Sequence, residues 1–282
     1  MPTLALRPDQ PFSLDATLAC GQVFRWERDE RGWWYGMAGD HVIKIRQDGT
    51  TLSFSGAPAP FIRHYFSLDI DLPRILESVD ADPFIHATVM KNCGLRLIRQ
   101  PAWECTVSYI CATNSNIPTI RRRIASIAEK YGRPVRSGGK TYYRFPGPAE
   151  IMEEGHDGLT ECRLGYRQPY VFGTSCRVTD PACWEKTIRN LPYADARREM
   201  MTLHGIGPKA ADCILLFAFQ KYEAFPVDVW IRRIMQEHYL PDLPMEGALS
   251  HRDYDRIRTF ARSHFGEYCG WAQEYLYAGR EE

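Results

Sequence analysis

The sequence predicts an α+β fold: an N-terminal antiparallel β-sheet domain followed by a mainly helical, bilobal domain. Three observations predict it. Up to about residue 55, apolar and polar residues alternate between turn signals. Beyond residue 70 the apolar spacing changes to i, i+3, i+4. At about 193–220 two glycines and a proline separate two amphipathic runs, a helix–hairpin–helix arrangement.

In the first region Trp33-Trp34-Tyr35 is aromatic and β-prone, and Ala38-Gly39-Asp40 is a turn. His41 to Arg46 then sets Val42, Lys44 and Arg46 against Ile43 and Ile45. Asp48-Gly49 is a hairpin signal, because both central residues of a type I′ turn take positive φ. Thr51 to Phe54 returns with alternation, and Gly56 to Pro60 breaks the pattern. Helices are predicted at Leu72–Val79, Pro83–Asn92, Pro101–Asn114, Ile117–Tyr131, Pro148–Glu154 and Asp180–Asn190. Further helices follow at Tyr193–Leu203, Pro208–Gln220, Val229–Tyr239, Tyr254–His264 and Tyr268–Ala278. Ser137-Gly138-Gly139-Lys140 and Phe145-Pro146-Gly147-Pro148 read as loops. The domains are placed at 1–80, β-rich, and 81–282, helical.

Composition excludes several classes. With 282 residues, 44% apolar and 25% charged, the chain can bury a sizeable core and is neither disordered nor collagenous. The longest apolar stretch, Cys213 to Phe219, is far short of the ~20 residues of a membrane span. The N-terminus MPTLALRPDQPFSLD lacks the apolar run of a signal peptide and the Arg/Ser-rich make-up of a transit peptide. Nine cysteines without a Cys-x-x-Cys or a zinc-finger spacing are expected to be reduced thiols. Thirty-five basic residues cancel thirty-five acidic ones, which excludes a tail-driven polyanion binder. Locally the balance differs. From Ile117 to Gly147 eight basic residues face one acid, net +7, and Pro148 to Glu161 answers with five acids. Such a run is either a solvated face or a surface that meets phosphates.

Leu203-His204-Gly205-Ile206-Gly207-Pro208-Lys209-Ala210-Ala211-Asp212 is the most informative segment. Its glycines, Gly205 and Gly207, allow left-handed backbone and close approach of a partner. The helix opened by Pro208 then offers free N–H groups and a positive dipole end to an anion. Either the segment is an ordinary αα-hairpin or it grips a DNA phosphate, with His204 beside it. Lys209 stands in the first turn, and Cys213 lies one turn on along the same face. After that helix comes Phe225-Pro226-Val227-Asp228-Val229, with Asp228 placed to open the next helix. A helix dipole and a partly desolvated pocket both lower a lysine's pKa and free its amine as a nucleophile. A nearby carboxylate can stabilise positive charge as it develops. The plain alternatives are a solvated lysine and an N-cap aspartate.

These residues, with others along nearly the whole chain, resemble the 8-oxoguanine DNA glycosylases of the helix–hairpin–helix superfamily. The resemblance begins at Cys20-Gly21-Gln22-Val23-Phe24-Arg25-Trp26 and continues through Leu97-Ile98-Arg99-Gln100 and Ile110 to Ile117. It then takes in Leu164-Gly165-Tyr166-Arg167, the hairpin, Pro226-Val227-Asp228-Val229 and Gly270-Trp271-Ala272-Gln273. The resemblance implies that Lys209 attacks the sugar C1′ of a flipped nucleotide and that Asp228 assists. It implies that Gly21 accepts the N7–H of 8-oxoguanine, that Gln273 reads the Watson–Crick edge, and that Cys213 and Tyr277 pack on the two faces. Tyr277 stands where the family usually has phenylalanine. Asn114, Tyr166 and Arg167 would fill the gap in the duplex and contact the estranged cytosine; in a plain reading Asn114 caps a helix, Tyr166 is core and Arg167 is solvated. His204, Gly205 and Gly207 would meet phosphate.

The resemblance implies double-stranded DNA containing oxidised guanine as partner, a monomer, and no cofactor, with a structural cation at the hairpin carbonyls as an option. With no targeting segment seen, the enzyme is expected to be cytoplasmic, nucleoid-associated if prokaryotic. Trp230 and Ser115 depart from the family pattern, and Thr119 replaces an arginine near the estranged base. Arg121 to Arg123 are expected to turn toward other faces, so the preference for cytosine opposite the lesion is expected to be narrower. The rival readings are a glycosylase for another lesion, such as oxidised pyrimidines, and a non-catalytic DNA-binding module. The first lacks the closely spaced cysteines of an iron–sulfur cluster, and the second has no use for Lys209 and Asp228 together. Despite zero net charge, DNA affinity is expected to fall steeply with salt. A flat log–log plot of binding constant against salt contradicts this.

Overall fold

The computed structural model describes residues 1–153, 155–244, 247 and 249–280. Strands β1 (Thr3–Ala5), β2 (Trp26–Arg28), β3 (Trp34–Ala38), β4 (His41–Asp48) and β5 (Thr51–Ser55) form one antiparallel sheet, in the order β1-β5-β4-β3-β2. Asp48 pairs with Thr51 around Gly49, whose φ is +55°, so the hairpin turn forms at the predicted place, but neither Asp48 nor Thr50 takes positive φ and the turn is not the type I′ turn expected. Ile43 and Ile45 lie on the buried face and Ile45 opposes Phe54 across the ladder. Trp26 packs against the sheet over Gly36, where a Cβ would lie 2.3 Å from the indole. Only glycine admits that approach.

Two helices interrupt what the sequence analysis took as strand and break. Helix α1 (Leu14–Ala19) has six residues, too few for a period to register, and is capped by Ser13, which accepts from the Ala16 N–H. Helix α2 (Ala59–Tyr65) starts inside the Gly-Ala-Pro-Ala-Pro segment, with extended Pro58 before it and Pro60 in its first turn. Leu14, Leu18, Ile62 and Phe66 close one hydrophobic cluster over the sheet, and Ile98 joins it from further along the chain.

The remaining chain is mostly helical: α3 (Leu72–Val79), α4 (Pro83–Lys91), α5 (Ala102–Ala112), α6 (Ile117–Tyr131), α7 (Pro148–Glu153) and α8 (Gly155–Gly158). Then come α9 (Gln168–Arg177), α10 (Pro181–Asn190), α11 (Tyr193–Met200), α12 (Pro208–Phe219), α13 (Val229–His238), α14 (His251–Phe265) and α15 (Cys269–Ala278). The predicted end of α7 at Glu154 lies outside the described residues. Helix α9 escaped prediction because Gly173, Thr174 and Ser175 are weak helix formers. A Cβ at Gly173 would lie 3.1 Å from the His204 ring, a tight approach. The predicted Ser137–Lys140 loop is the turn of a hairpin. Strands β6 (Pro134–Ser137) and β7 (Lys140–Tyr143) flank it, and Gly138 and Gly139 both take positive φ. Its strands are short, polar and exposed, so no alternation marks them.

Helix α12 is the centre of the second, larger core, buried from Ala210 to Phe219 between α5 and α11. Helix α15 packs against α3, α4, α13 and α14. No helix among the described residues is long and apolar enough to cross a membrane. All nine cysteines are free thiols.

One acid sits in the middle of this core. Asp212 is fully buried, and it accepts hydrogen bonds from Tyr193 Oη at 2.7 Å, Arg197 Nε at 3.0 Å and Tyr254 Oη at 2.8 Å. Arg258 adds an ion pair at 3.5 Å. Removing one member of a buried ion pair strands the rest. Asp212→Ala is therefore expected to cost about 3 kcal/mol or more of stability, read from urea unfolding. A loss near zero contradicts the network's structural weight.

Candidate active site

A cleft of about 760 Å³ opens beside the α11–α12 hairpin. It is lined by Gly21, Asn114, Gly205, Gly207, Lys209, Cys213, Asp228, Gln273 and Tyr277, so residues far apart in sequence meet there. Tyr166, Arg167 and His204 lie outside its lining.

The hairpin supplies one wall. Gly205 has φ +82°, and a Cβ there would press on the Tyr170 ring at 2.5 Å. Gly207 behaves otherwise than predicted. It is the extended N-cap of α12, at φ −91°, and the space where its Cβ would be is empty. Nothing inside the protein demands a glycine at 207, so its bare backbone is free to be approached from outside. No side chain caps the N-terminus of α12, which leaves its dipole end open. Exposed His204 lays its ring 4.7 Å from that of Tyr170, while its carbonyl accepts from Thr174 Oγ1.

Lys209, in the first turn of α12, holds its Nζ over the Tyr109 ring at 5.0 Å from the centroid. Its hydrogen-bond neighbour is the sulfur of Cys213, one turn on. Burial pushes the Cys213 thiol up to about 12, outweighing the opposing pull of Lys209. That sulfur is thus a neutral, polarisable surface and not a thiolate. Asp228 is indeed the N-cap of α13: its Oδ1 accepts from the Trp230 and Ile231 N–H groups at 3.0 and 2.8 Å. It also faces the cleft. The residue before it, Val227, donates its N–H to Tyr254 Oη, the hydroxyl that binds Asp212.

Gly21 forms the opposite wall at φ +103°, where a Cβ would stand 3.2 Å from Ile117 Cδ1 and 3.8 Å from the Tyr277 ring. Its neighbour explains why distant motifs travel together. Gln22, buried, donates to the Thr17 and Arg96 carbonyls and accepts from the Ile98 N–H, and Gln100 donates back to the Gln22 carbonyl. The 96–100 segment thus rivets the Gly21 loop in place. From α15 come Gln273 and Tyr277, one turn apart. Gln273 Oε1 is buried with no hydrogen-bond partner among the described residues. Arg280 lies 3.9 Å from the Tyr277 ring centroid, and burial pushes the Tyr277 hydroxyl up to about 12, so it stays protonated.

The third group sits at the rim. Asn114 takes left-handed backbone, φ +47°, and its Nδ2 donates to Tyr166 Oη at 3.2 Å. It does not cap α6, since Asn116 accepts from the Thr119 N–H instead. Tyr166 is half exposed and not core. Arg167 is not a solvated arginine. It is 4% exposed, with its guanidinium on the carbonyls of Thr113 and Asn114, on Ser115 Oγ and on Tyr166 Oη. In this arrangement its donors are taken up by the protein. The expectation that Arg121 to Arg123 turn toward other faces needs correction for Arg122 and Arg123. Arg122 donates to Thr119 Oγ1 at 3.2 Å, and Arg123 to Ser115 Oγ at 2.5 Å. Helical i to i+3 spacing puts Arg122 on the face of Thr119, and the turn before α6 folds Ser115 back toward Arg123.

The basic run is also less naked than its count suggests. Lys130 pairs with Glu161, Arg133 with Glu150 and Arg144 with Asp40. Sequence reasoning missed Tyr109, which carries Lys209, and Glu274, a buried acid in the cleft. For Glu274 a signal existed: one acid inside the mostly apolar stretch Cys269 to Leu276.

A sheet-and-helix fold in which a hairpin lysine and the aspartate that caps the following helix face one cleft defines a helix–hairpin–helix enzyme of the DNA glycosylase class. A model of the N-terminal domain of 8-oxoguanine DNA glycosylase matches residues 5–106. A probable N-glycosylase/DNA lyase of Methanothermobacter thermautotrophicus is 33% identical over 236 residues, covering 77% of this chain and 72% of that protein. The apo 8-oxoguanine glycosylase/lyase of Clostridium acetobutylicum superposes with a TM-score of 0.90 at 32% identity, covering 99% of this chain and 97% of that one. The same enzyme with duplex DNA containing cytosine opposite 8-oxoguanine gives 0.87 at 33% identity, covering 95% and 91%. The chain belongs to the 8-oxoguanine DNA glycosylase/lyase family.

Asp228 offers a clean test of cap against chemistry. Asparagine caps a helix as well as aspartate does, so Asp228→Asn is expected to keep its Tm while single-turnover excision falls about 100-fold or more. A rate within a few-fold of wild type makes the carboxylate a cap only.

Proposed function

We infer that the protein is a bifunctional DNA glycosylase and AP lyase that excises 8-oxoguanine from duplex DNA in base excision repair. The observation that carries this reading is the convergence of Lys209, Cys213, Asp228, Gly21, Gln273 and Tyr277 on one cleft beside an uncapped helix N-terminus.

In this reading the duplex lies along the hairpin, with phosphate oxygens on the backbone of Gly205 and Gly207 and near His204. The damaged nucleotide leaves the stack and enters the cleft, at a cost of a few kcal/mol offset by stacking and edge hydrogen bonds. Cys213 packs on one face of the base and Tyr277 on the other. The Gly21 carbonyl accepts N7–H, a donor that 8-oxoguanine has and guanine lacks, and Gln273 meets the Watson–Crick edge. Asn114, Tyr166 and Arg167 stand at the vacated position in the duplex. Arg167 reaches an estranged cytosine only by giving up its bonds to Thr113 and Asn114.

The Lys209 amine then attacks C1′. The C1′–N bond breaks, its electron pair and a proton leave with the base, and the Asp228 carboxylate offsets positive charge developing on the sugar. Ring opening gives a protonated Schiff base between Lys209 and C1′. Loss of a proton from C2′ and departure of the 3′ phosphate nick the strand, and water releases the lysine. No step requires a cofactor. The described residues hold no group of three or more His, Cys, Asp or Glu side chains able to bind a metal, so a cation at the hairpin would rest on backbone carbonyls. The place of work in this reading is the cytoplasm, at the nucleoid if the cell is prokaryotic.

Lys209→Gln is expected to abolish both base excision and borohydride trapping on a duplex with one 8-oxoguanine, while DNA binding stays largely intact. Trapped complex in that variant overturns the assignment of the nucleophile.

A further inference from the structure

We propose that Glu274 is a specificity-determining residue of the base pocket: its free carboxyl oxygen accepts a hydrogen bond from the exocyclic 2-amino group of the flipped base. The proposal rests on the reading of the cleft as an 8-oxoguanine pocket.

Glu274 follows Gln273 on α15, is 3% exposed, and lines the cleft. The Cys20 thiol, one residue before Gly21, is its hydrogen-bond neighbour. Its Oε1 is buried with no partner among the described residues. A carboxyl oxygen left this way is costly in the free protein. Such a group persists where a bound ligand completes it.

A count of donors identifies the partner. 8-Oxoguanine carries three kinds of N–H donor: N7–H, N1–H and the 2-amino group. In the roles inferred above, the Gly21 carbonyl takes N7–H. Gln273 Oε1, also buried and unpartnered, takes N1–H. The 2-amino group remains, and Glu274 is the one further cleft-lining residue with an unpartnered buried side-chain oxygen among the described residues. A site built to pair with a donor rejects a base that lacks it, because its own acceptor is then left bare.

The contact titrates. Burial pushes the Glu274 carboxyl up to about 7, with Cys20, Arg280 and Lys209 pulling it down and Asp228 pushing it up. Tyr109 and Tyr277 face the same region as neutral phenols. The ionised form is the better acceptor, so discrimination is greatest above neutrality.

The test is single-turnover excision, opposite cytosine, of 8-oxoguanine and of 8-oxohypoxanthine, which lacks only the 2-amino group, from about pH 5.5 to about pH 8.5. Wild type is expected to favour 8-oxoguanine by about tenfold or more at the upper end, with the ratio falling as pH drops through about 7. Glu274→Leu is expected to bring the ratio to within about twofold of one without lowering the Tm. Glu274→Gln is expected to show a ratio that no longer changes with pH. A merely structural glutamate gives the opposite pattern: Glu274→Leu loses Tm, slows both bases alike, and keeps the wild-type ratio. That result overturns the proposal, as does a pH-independent ratio in wild type. If Glu274→Leu does not fold, a Glu274→Gln profile as steep as wild type overturns it. Wild-type protein that excises neither base defeats the functional reading on which the proposal stands, which is a distinguishable failure.

Discussion

The Asp212 carboxylate is the interaction on which the site's geometry depends. It lies on α12 between Lys209, three residues before it, and Cys213, one residue after it. Through Tyr193 and Arg197 it fixes α11, and through Tyr254 and Arg258 it fixes α14. Tyr254 then passes the constraint on, since its hydroxyl also accepts from the Val227 N–H just before Asp228. One buried acid therefore orients the helix that carries Lys209 and the turn that carries Asp228. An apolar core would pack these helices well but would not set their angular register this closely.

The second wall of the cleft is fixed in a similar way but without charge. Gln22 spends both ends of its amide on the 17–22 turn and the 96–98 segment, which leaves the Gly21 carbonyl loop with little freedom. Its left-handed backbone and the proximity of Ile117 and Tyr277 exclude a side chain at position 21. The Gly21 loop is thus held in place before anything enters the cleft, and such pre-organisation lowers the cost of binding. Charge is handled differently at the surface. Lys130, Arg133 and Arg144 are tied to acids, whereas Arg121, Arg122, Arg136 and Lys140 remain exposed.

Much of this was legible in the sequence. The alternation in β4 and β5 and the Asp-Gly turn have local causes, as does the break between α11 and α12. Lys209 and Asp228 could be singled out because a hairpin and an N-cap are local signals too. Helices α1 and α2 were hidden by shortness and proline, α9 by its Gly-Thr-Ser content, and β6–β7 by polarity. The tertiary facts were not legible. That Gln22 binds Ile98, that Arg167 is buried under Thr113, and that Tyr254 links Asp212 to Val227 all depend on contacts between residues 27 to 76 apart, which no local pattern encodes. The freedom of Gly207 from any internal need is likewise visible only in three dimensions.

The central claim is that the Lys209 amine, set at the start of α12, becomes covalently joined to the sugar. Borohydride reduction of the protein on an 8-oxoguanine duplex, followed by digestion and mass spectrometry of the cross-linked peptide, tests it directly. The account predicts the reduced sugar adduct on Lys209. An adduct on another lysine or on the N-terminal amine, or release of the base with no adduct at all, contradicts it.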